Sequence, residues 1–113
     1  MMAAFGEALA LGATGGLEIE KIVETIQASK FHSPLFLMHG EQVAAKDWTP
    51  RFAVRLAEKD QRLAQEAAAA QGAKVPINAA VRRLFADAAE SGRADQDVCS
   101  VADLYFEWAG VKR

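Results

Sequence analysis

The chain has 113 residues, 51% of them hydrophobic and 25% charged, the balance of one ordinary globular domain rather than a disordered or fibrous chain. A domain of this length buries roughly two-thirds of the surface its unfolded chain exposes, enough to hold together without disulfides or a structural metal. The formal net charge of -2 and the scatter of the basic residues give no electrostatic footprint for nucleic acid, and no apolar run approaches the roughly 20 residues that span a bilayer.

Residues 1–13 are rich in Ala, Leu and Met, strong helix formers, and Gly15-Gly16 is a natural stop. The segment has no basic residue ahead of its apolar stretch, so it lacks the opening of a secretory signal. Met1-Met2 leads straight into helical sequence with no cap, from which the natural chain is expected to begin earlier. Over 18–29, Ile19, Ile22, Val23 and Ile26 recur at spacings of three and four between Glu20, Lys21 and Glu24, which predicts a surface helix with one buried stripe. Ser33-Pro34 predicts a third helix start: the serine caps free amides, and proline at the first helical position has no amide to leave unsatisfied. That helix runs to about Ala45.

Pro50 biases the residue before it away from helical angles, and a long helix over 51–71 follows, with Gly72 placed for a left-handed cap. A fifth helix is expected over 76–91, ended by Gly92 and carrying Val81, Leu84, Phe85 and Ala88 inward. A sixth runs from Val98 to about Trp108. No segment alternates apolar and polar residues in the manner of a strand. The fold class is therefore all-α, one domain of about six helices.

The long helix contains an irregularity. Phe52, Leu56, Leu63 and Ala67 fall on one stripe, which is read as its buried face, and Lys59 sits within that stripe with Asp60 beside it. One reading is structural: Lys59 snorkels to water, or the pair makes a partly buried ion pair. The other is that the charges face a cleft shared with something outside this chain. Periodicity alone leaves both open.

The segment Phe52-Ala-Val-Arg-Leu-Ala-Glu-Lys-Asp-Gln-Arg-Leu-Ala-Gln-Glu66 resembles the cofactor-binding helix of the β-hydroxyacid dehydrogenases, a family that includes 3-hydroxyisobutyrate dehydrogenase, tartronate semialdehyde reductase and the glyoxylate and succinic semialdehyde reductases. The family pattern is Lys-Asp-Leu, two variable residues, Ala, one variable residue, Asp; Gln61 and Glu66 depart from it. Further landmarks match in order: Gly6-Glu7-Ala8-Leu9-Ala10-Leu11, Gly16-Leu17, Ser33-Pro34-Leu35-Phe36, Pro50 with Phe52, Val75-Pro76, and Gly92 leading to Asp97. They cover nearly the whole chain. The resemblance implies a C-terminal helical domain, similar to that of 6-phosphogluconate dehydrogenase, spanning 1–113 and lacking the dinucleotide-binding Rossmann domain that precedes it in the family.

Carried over residue by residue, the resemblance makes Lys59 a cofactor-binding residue near the nicotinamide end and makes Phe52 and Asp60 substrate-pocket residues, all in positioning roles. No catalytic residue falls within this chain, because the family's catalytic lysine lies upstream of the first helix. NAD or NADP is expected to be held mainly by the absent domain, since no Gly-x-Gly-x-x-Gly turn occurs here. The fragment alone is expected to be inactive. The implied substrate is a short β-hydroxyacid or semialdehyde, with Ser33-Pro34-Leu35-Phe36 leaning toward the glyoxylate and semialdehyde reductase branch. Family members assemble through their helical domains, so a homo-oligomer is expected through the first and last helices.

Outside the resemblance, the alternative is a non-catalytic all-α interaction or oligomerisation module in which Lys59-Asp60 is structural. His32 and His39 are expected to hold no metal, because no carboxylate or cysteine completes a set at ligand spacing. Cys99 is read as a packing thiol that suits a reducing compartment, the cytoplasm by default. Two of Tyr105, Phe106 and Trp108 are expected in the core.

Overall fold

In the computed structural model, which describes residues 1–112, six α-helices follow one another. The expected boundary at Arg113 lies outside the described residues. The helices are α1 (Met2–Thr14), α2 (Ile19–Ala28), α3 (Pro34–Ala45), α4 (Val54–Ala70), α5 (Pro76–Ala88) and α6 (Val101–Trp108). A π-helical turn, Ala89–Arg93, extends α5, and a 3-10 turn, Val98–Ser100, leads into α6. No strand forms among the described residues; Ala53 and Asp97 make an isolated antiparallel bridge.

Local chemistry sets the boundaries. The Ser33 hydroxyl accepts from the amides of Leu35 and Phe36 at 3.1 and 3.4 Å, and Pro34 occupies the first turn, as its sequence demands. Gly72 and Gly92 take φ of +68° and +89°, the left-handed region that glycine enters without steric cost. The fifth helix ends three residues earlier than expected, because the chain widens into the π-helical turn before reaching Gly92.

The helices pair as α1 with α6, α2 with α3, and α4 with α5. Phe5, Leu9, Val43, Val54, Phe85 and Phe106 lie in the core that joins these pairs, with the rings of Phe5 and Phe36 stacked at 4.8 Å between α1 and α3. Gly40 allows a close approach of α3 to α2: a Cβ there would lie 2.6 Å from Val23 Cγ2. Leu84, Phe85 and Ala88 are buried as α5 was read, with Val81 packed against the core. Of the aromatic trio, Phe106 is buried and Tyr105 half-buried, while Trp108 stands exposed with its ring edge on Tyr105 at 5.6 Å.

The long helix corrects the sequence reading. Its buried side chains are Val54 and Ala57, and the stripe read as buried faces mostly outward, with Phe52 41% and Leu63 47% exposed, Ala67 exposed and Leu56 half-buried. The cause is the contact with α5, which is polar. Asn78 Nδ2 donates to Gln61 Oε1 at 2.6 Å, and the Arg82 guanidinium reaches Glu58 at 3.0 Å and Gln65 at 2.8 Å. Polar residues therefore face inward along α4, and apolar periodicity selects the wrong side.

Candidate functional site

Phe52, Lys59, Asp60 and Leu63 share the outward side of α4 and the turn before it, all of them exposed. Lys59 Nζ lies 2.9 Å from Asp60 Oδ1, each side chain about half exposed. Adjacent helical residues do not ordinarily face one another, so the long lysine folds back along its own turn to meet the carboxylate. The result is a ridge on which an apolar ring, an apolar branched side chain and a tethered cation stand side by side. The grooves between α2 and α3, about 450 Å³, and among α1, α5 and α6, about 430 Å³, lie elsewhere.

The ridge is held from beneath by Asp97. This side chain is 1% exposed, and its Oδ2 accepts the amides of Arg51 at 2.8 Å and Phe52 at 3.1 Å, while Oδ1 accepts that of Cys99 at 3.1 Å. The backbone completes the clasp: Asp97 donates to the Trp48 carbonyl and Val98 to that of Phe52, at 3.0 and 2.8 Å. No side chain caps α4. Its first amides, Val54 and Arg55, instead donate to the carbonyls of Gln96 and Ala94, both at 3.0 Å, which satisfies groups every helix start leaves free. Burial pushes the Asp97 carboxyl upward in pKa, but the hydrogen bonds from Cys99, Arg51 and Phe52 outweigh it and hold the group below its ordinary value.

The sequence reading named Asp97 as a landmark and missed this role. A carboxylate ahead of a short helical turn is a legible cap, and it does cap the 3-10 turn through Cys99; nothing local announces its bonds to Arg51 and Phe52. Cys99 is fully buried, with burial and then Asp97 pushing its thiol up in pKa, which keeps the sulfur protonated where no cation faces it; the thiol lies 3.9 Å from the Asp47 carbonyl oxygen. His32 is exposed and His39 is buried, with His39 Nδ1 at 3.0 Å from Gln42 Oε1. The two histidines therefore serve different surroundings and share no site.

An all-α domain with an exposed apolar-cationic ridge on its longest helix is the class that fold and site define. Residues 1–105 match the family described as NAD-binding of NADP-dependent 3-hydroxyisobutyrate dehydrogenase, and the chain belongs to that family of hydroxyacid dehydrogenases. It is 28% identical over 103 residues to glyoxylate/succinic semialdehyde reductase 2, chloroplastic, of Arabidopsis thaliana, covering 91% of this chain and 29% of the relative. Against the NAD-dependent L-serine dehydrogenase of Pseudomonas aeruginosa the identity is 29% over 112 residues, 93% of this chain and 38% of the other. A solved 3-hydroxyisobutyrate dehydrogenase from Salmonella typhimurium superposes with a TM-score of 0.86 at 27% identity, over 91% of this chain and 36% of that one. The chain thus spans less than two-fifths of the length of these relatives.

Proposed function

We propose that this chain is the C-terminal helical domain of an NAD(P)-dependent β-hydroxyacid dehydrogenase, that its α4 ridge forms one wall of the cleft for substrate and nicotinamide, and that it is inactive by itself. The observation that carries the reading is the ridge: a helix whose apolar and cationic side chains face outward, on a domain whose family binds NAD. Phe52 and Leu63 expose apolar area beside a cation, a combination that gains from being covered by a ligand with a flat ring and an anionic or polarised group.

The nicotinamide, when bound, supplies the hydride exchanged with the carbon bearing the substrate's β-hydroxyl. The residues of this chain position. Lys59 offers three N–H donors and a positive charge to the cofactor's nicotinamide end. Asp60 keeps Lys59 from swinging into solvent and presents a carboxylate to a substrate hydroxyl, and the Phe52 ring closes the apolar side of the pocket. Asp97 fixes Phe52 through its backbone, so the wall is set by buried hydrogen bonds and not by the ridge itself. The proton that balances hydride transfer is assigned to a lysine outside these 113 residues, in line with the family pattern.

The substrate class is a short β-hydroxyacid or semialdehyde, a range supported by relatives named for glyoxylate/succinic semialdehyde, L-serine and L-threonate. Homo-oligomerisation through the outer helices is part of the same reading, supported by Leu11 at 74% and Trp108 at 60% exposed on α1 and α6. The unpaired, buried Cys99 suits a reducing compartment such as the cytoplasm. Hydride transfer by the complete polypeptide, wild type against Lys59→Ala, across short β-hydroxyacids and semialdehydes with both nicotinamides, tests the proposal. Turnover that collapses in a folded Lys59→Ala variant supports it. A variant equal to wild type removes Lys59 from the site, and absence of turnover with every substrate leaves an interaction module as the better account.

A further inference from the structure

Away from the α4 ridge, the fold brings together three side chains that the sequence keeps far apart. His39 on α3 and Asp97 and Cys99 at the 3-10 turn are all buried, and one ligand atom from each lies within 4.8 Å of the others. We propose that His39, Asp97 and Cys99 form a buried site for one zinc ion, independent of the dehydrogenase reading.

The argument begins with the histidine. Gln42 Oε1 lies 3.0 Å from His39 Nδ1; with that oxygen as acceptor, Nδ1 is the donor and Nε2 is the ring nitrogen left for a cation. Fixing the tautomer and ring direction through the opposite nitrogen is how metal-binding histidines are ordinarily held. Asp97 contributes a carboxylate with about four acceptor positions, three of which are taken by the amides of Arg51, Phe52 and Cys99. One remains for a cation. Cys99 contributes sulfur, so the set is nitrogen, oxygen and sulfur, which suits zinc rather than magnesium or calcium.

Charge and polarity agree with this. A divalent ion with one carboxylate, one thiolate and a neutral imidazole sums to zero, the condition under which ionised groups are tolerated in an interior. Binding displaces the thiol proton of Cys99 to solvent; no bond other than S–H breaks, and no electron moves. Two further polar atoms on the same two elements, Gln42 Nε2 on α3 and Ser100 Oγ on the 3-10 turn, are buried without a hydrogen-bond partner, so these elements carry unsatisfied polar groups as they stand. Zinc bonds of about 2.0–2.3 Å place tetrahedral ligand atoms roughly 3.3–3.7 Å apart, so the three donors close by about an ångström on loading.

The probe is Co²⁺, followed by Zn²⁺, added to the chelator-treated chain. One equivalent of Co²⁺ should bind with a thiolate-to-cobalt charge-transfer band in the near ultraviolet and release of one proton. Zn²⁺ should then displace it, and at one hundred times its Kd should raise the folding equilibrium constant about a hundredfold. Cys99→Ser and His39→Gln should each abolish the band. Should either variant fail to fold, the wild-type titration decides alone: cobalt bound without the thiolate band, or a thermal midpoint unmoved by Zn²⁺, overturns the site.

Discussion

Truncating Asp97 to alanine, in metal-free protein, removes one carboxylate and leaves three backbone amides without their acceptor. The Cys99 amide is buried, and those of Arg51 and Phe52 are partly so. A buried donor left unsatisfied costs about 1–3 kcal/mol, and hydrogen bonds to an ionised group lie at the strong end of the range. Water can recover part of the loss at Arg51 and Phe52, so the sum falls at roughly 3–5 kcal/mol, large against the ~5–15 kcal/mol that holds a typical domain together. At about 4 °C per kcal/mol for a domain of this size, the thermal midpoint should drop by roughly 12–20 °C. Urea unfolding followed by circular dichroism gives the free energy, and amide hydrogen exchange at Arg51, Phe52 and Cys99 locates it. A loss below about 1 kcal/mol, or exchange at those amides unchanged, would refute the clasp. The pH dependence carries a sign as well. Because hydrogen bonds hold the Asp97 carboxyl below its ordinary 3.8 despite burial, its contribution is complete above that value and is lost as pH falls through the lower folded pKa. Asp97→Asn should flatten that part of the acid limb.

Lys59→Ala should leave stability within about 0.5 kcal/mol of wild type, since its ion pair with Asp60 is half exposed; a large loss in the same urea assay would make Lys59 structural and weaken its cofactor role. Gly40→Ala inserts a methyl 2.6 Å from Val23 Cγ2, an overpacking of about 1–3 kcal/mol set against a helix-propensity gain of about 1 kcal/mol. A net loss is expected, and a stabilised variant would show that α2 and α3 separate freely. Ser33→Ala removes the acceptor for Leu35 and Phe36 and should cost about 1 kcal/mol, read from the shift in urea midpoint at constant slope.

Most of the architecture was legible because its signals are local. Ser33-Pro34, Gly72 and Gly92 each act within one turn of the chain, and the structure uses all three where the sequence places them. The amphipathic α2 and the inward residues of α5 follow from apolar periodicity, which works wherever one helical face meets a hydrophobic core. What stayed hidden depends on contacts distant in sequence. Asp97 reaches back to Arg51 and Phe52, and His39 meets Asp97 and Cys99, pairings that no spacing rule encodes. His39, Asp97 and Cys99 come within 4.8 Å of one another only through the fold, which brings a carboxylate and a sulfur from the other end of the chain.

The misjudged face of α4 bears most directly on function. Periodicity assumes that apolar means inward, and it located Phe52, Leu56, Leu63 and Ala67 together correctly while burying the wrong side. The helix can turn that face out because α5 receives it through Glu58, Gln61 and Gln65, whose hydrogen bonds to Asn78 and Arg82 stand in for hydrophobic packing. Beyond this contact the hairpin leaves the core: between residues 66 and 79 every position except Ala68 and Asn78 is exposed. A radius of gyration of 14.5 Å, against about 13 Å for a compact domain of this length, reflects that projection. A domain selected only to fold gains nothing by solvating a Phe and a Leu while hydrogen-bonding three polar residues inward. Under the proposed function, covering the exposed ridge with a bound nicotinamide cofactor would give the inversion its physical rationale, with Lys59 among the residues so covered.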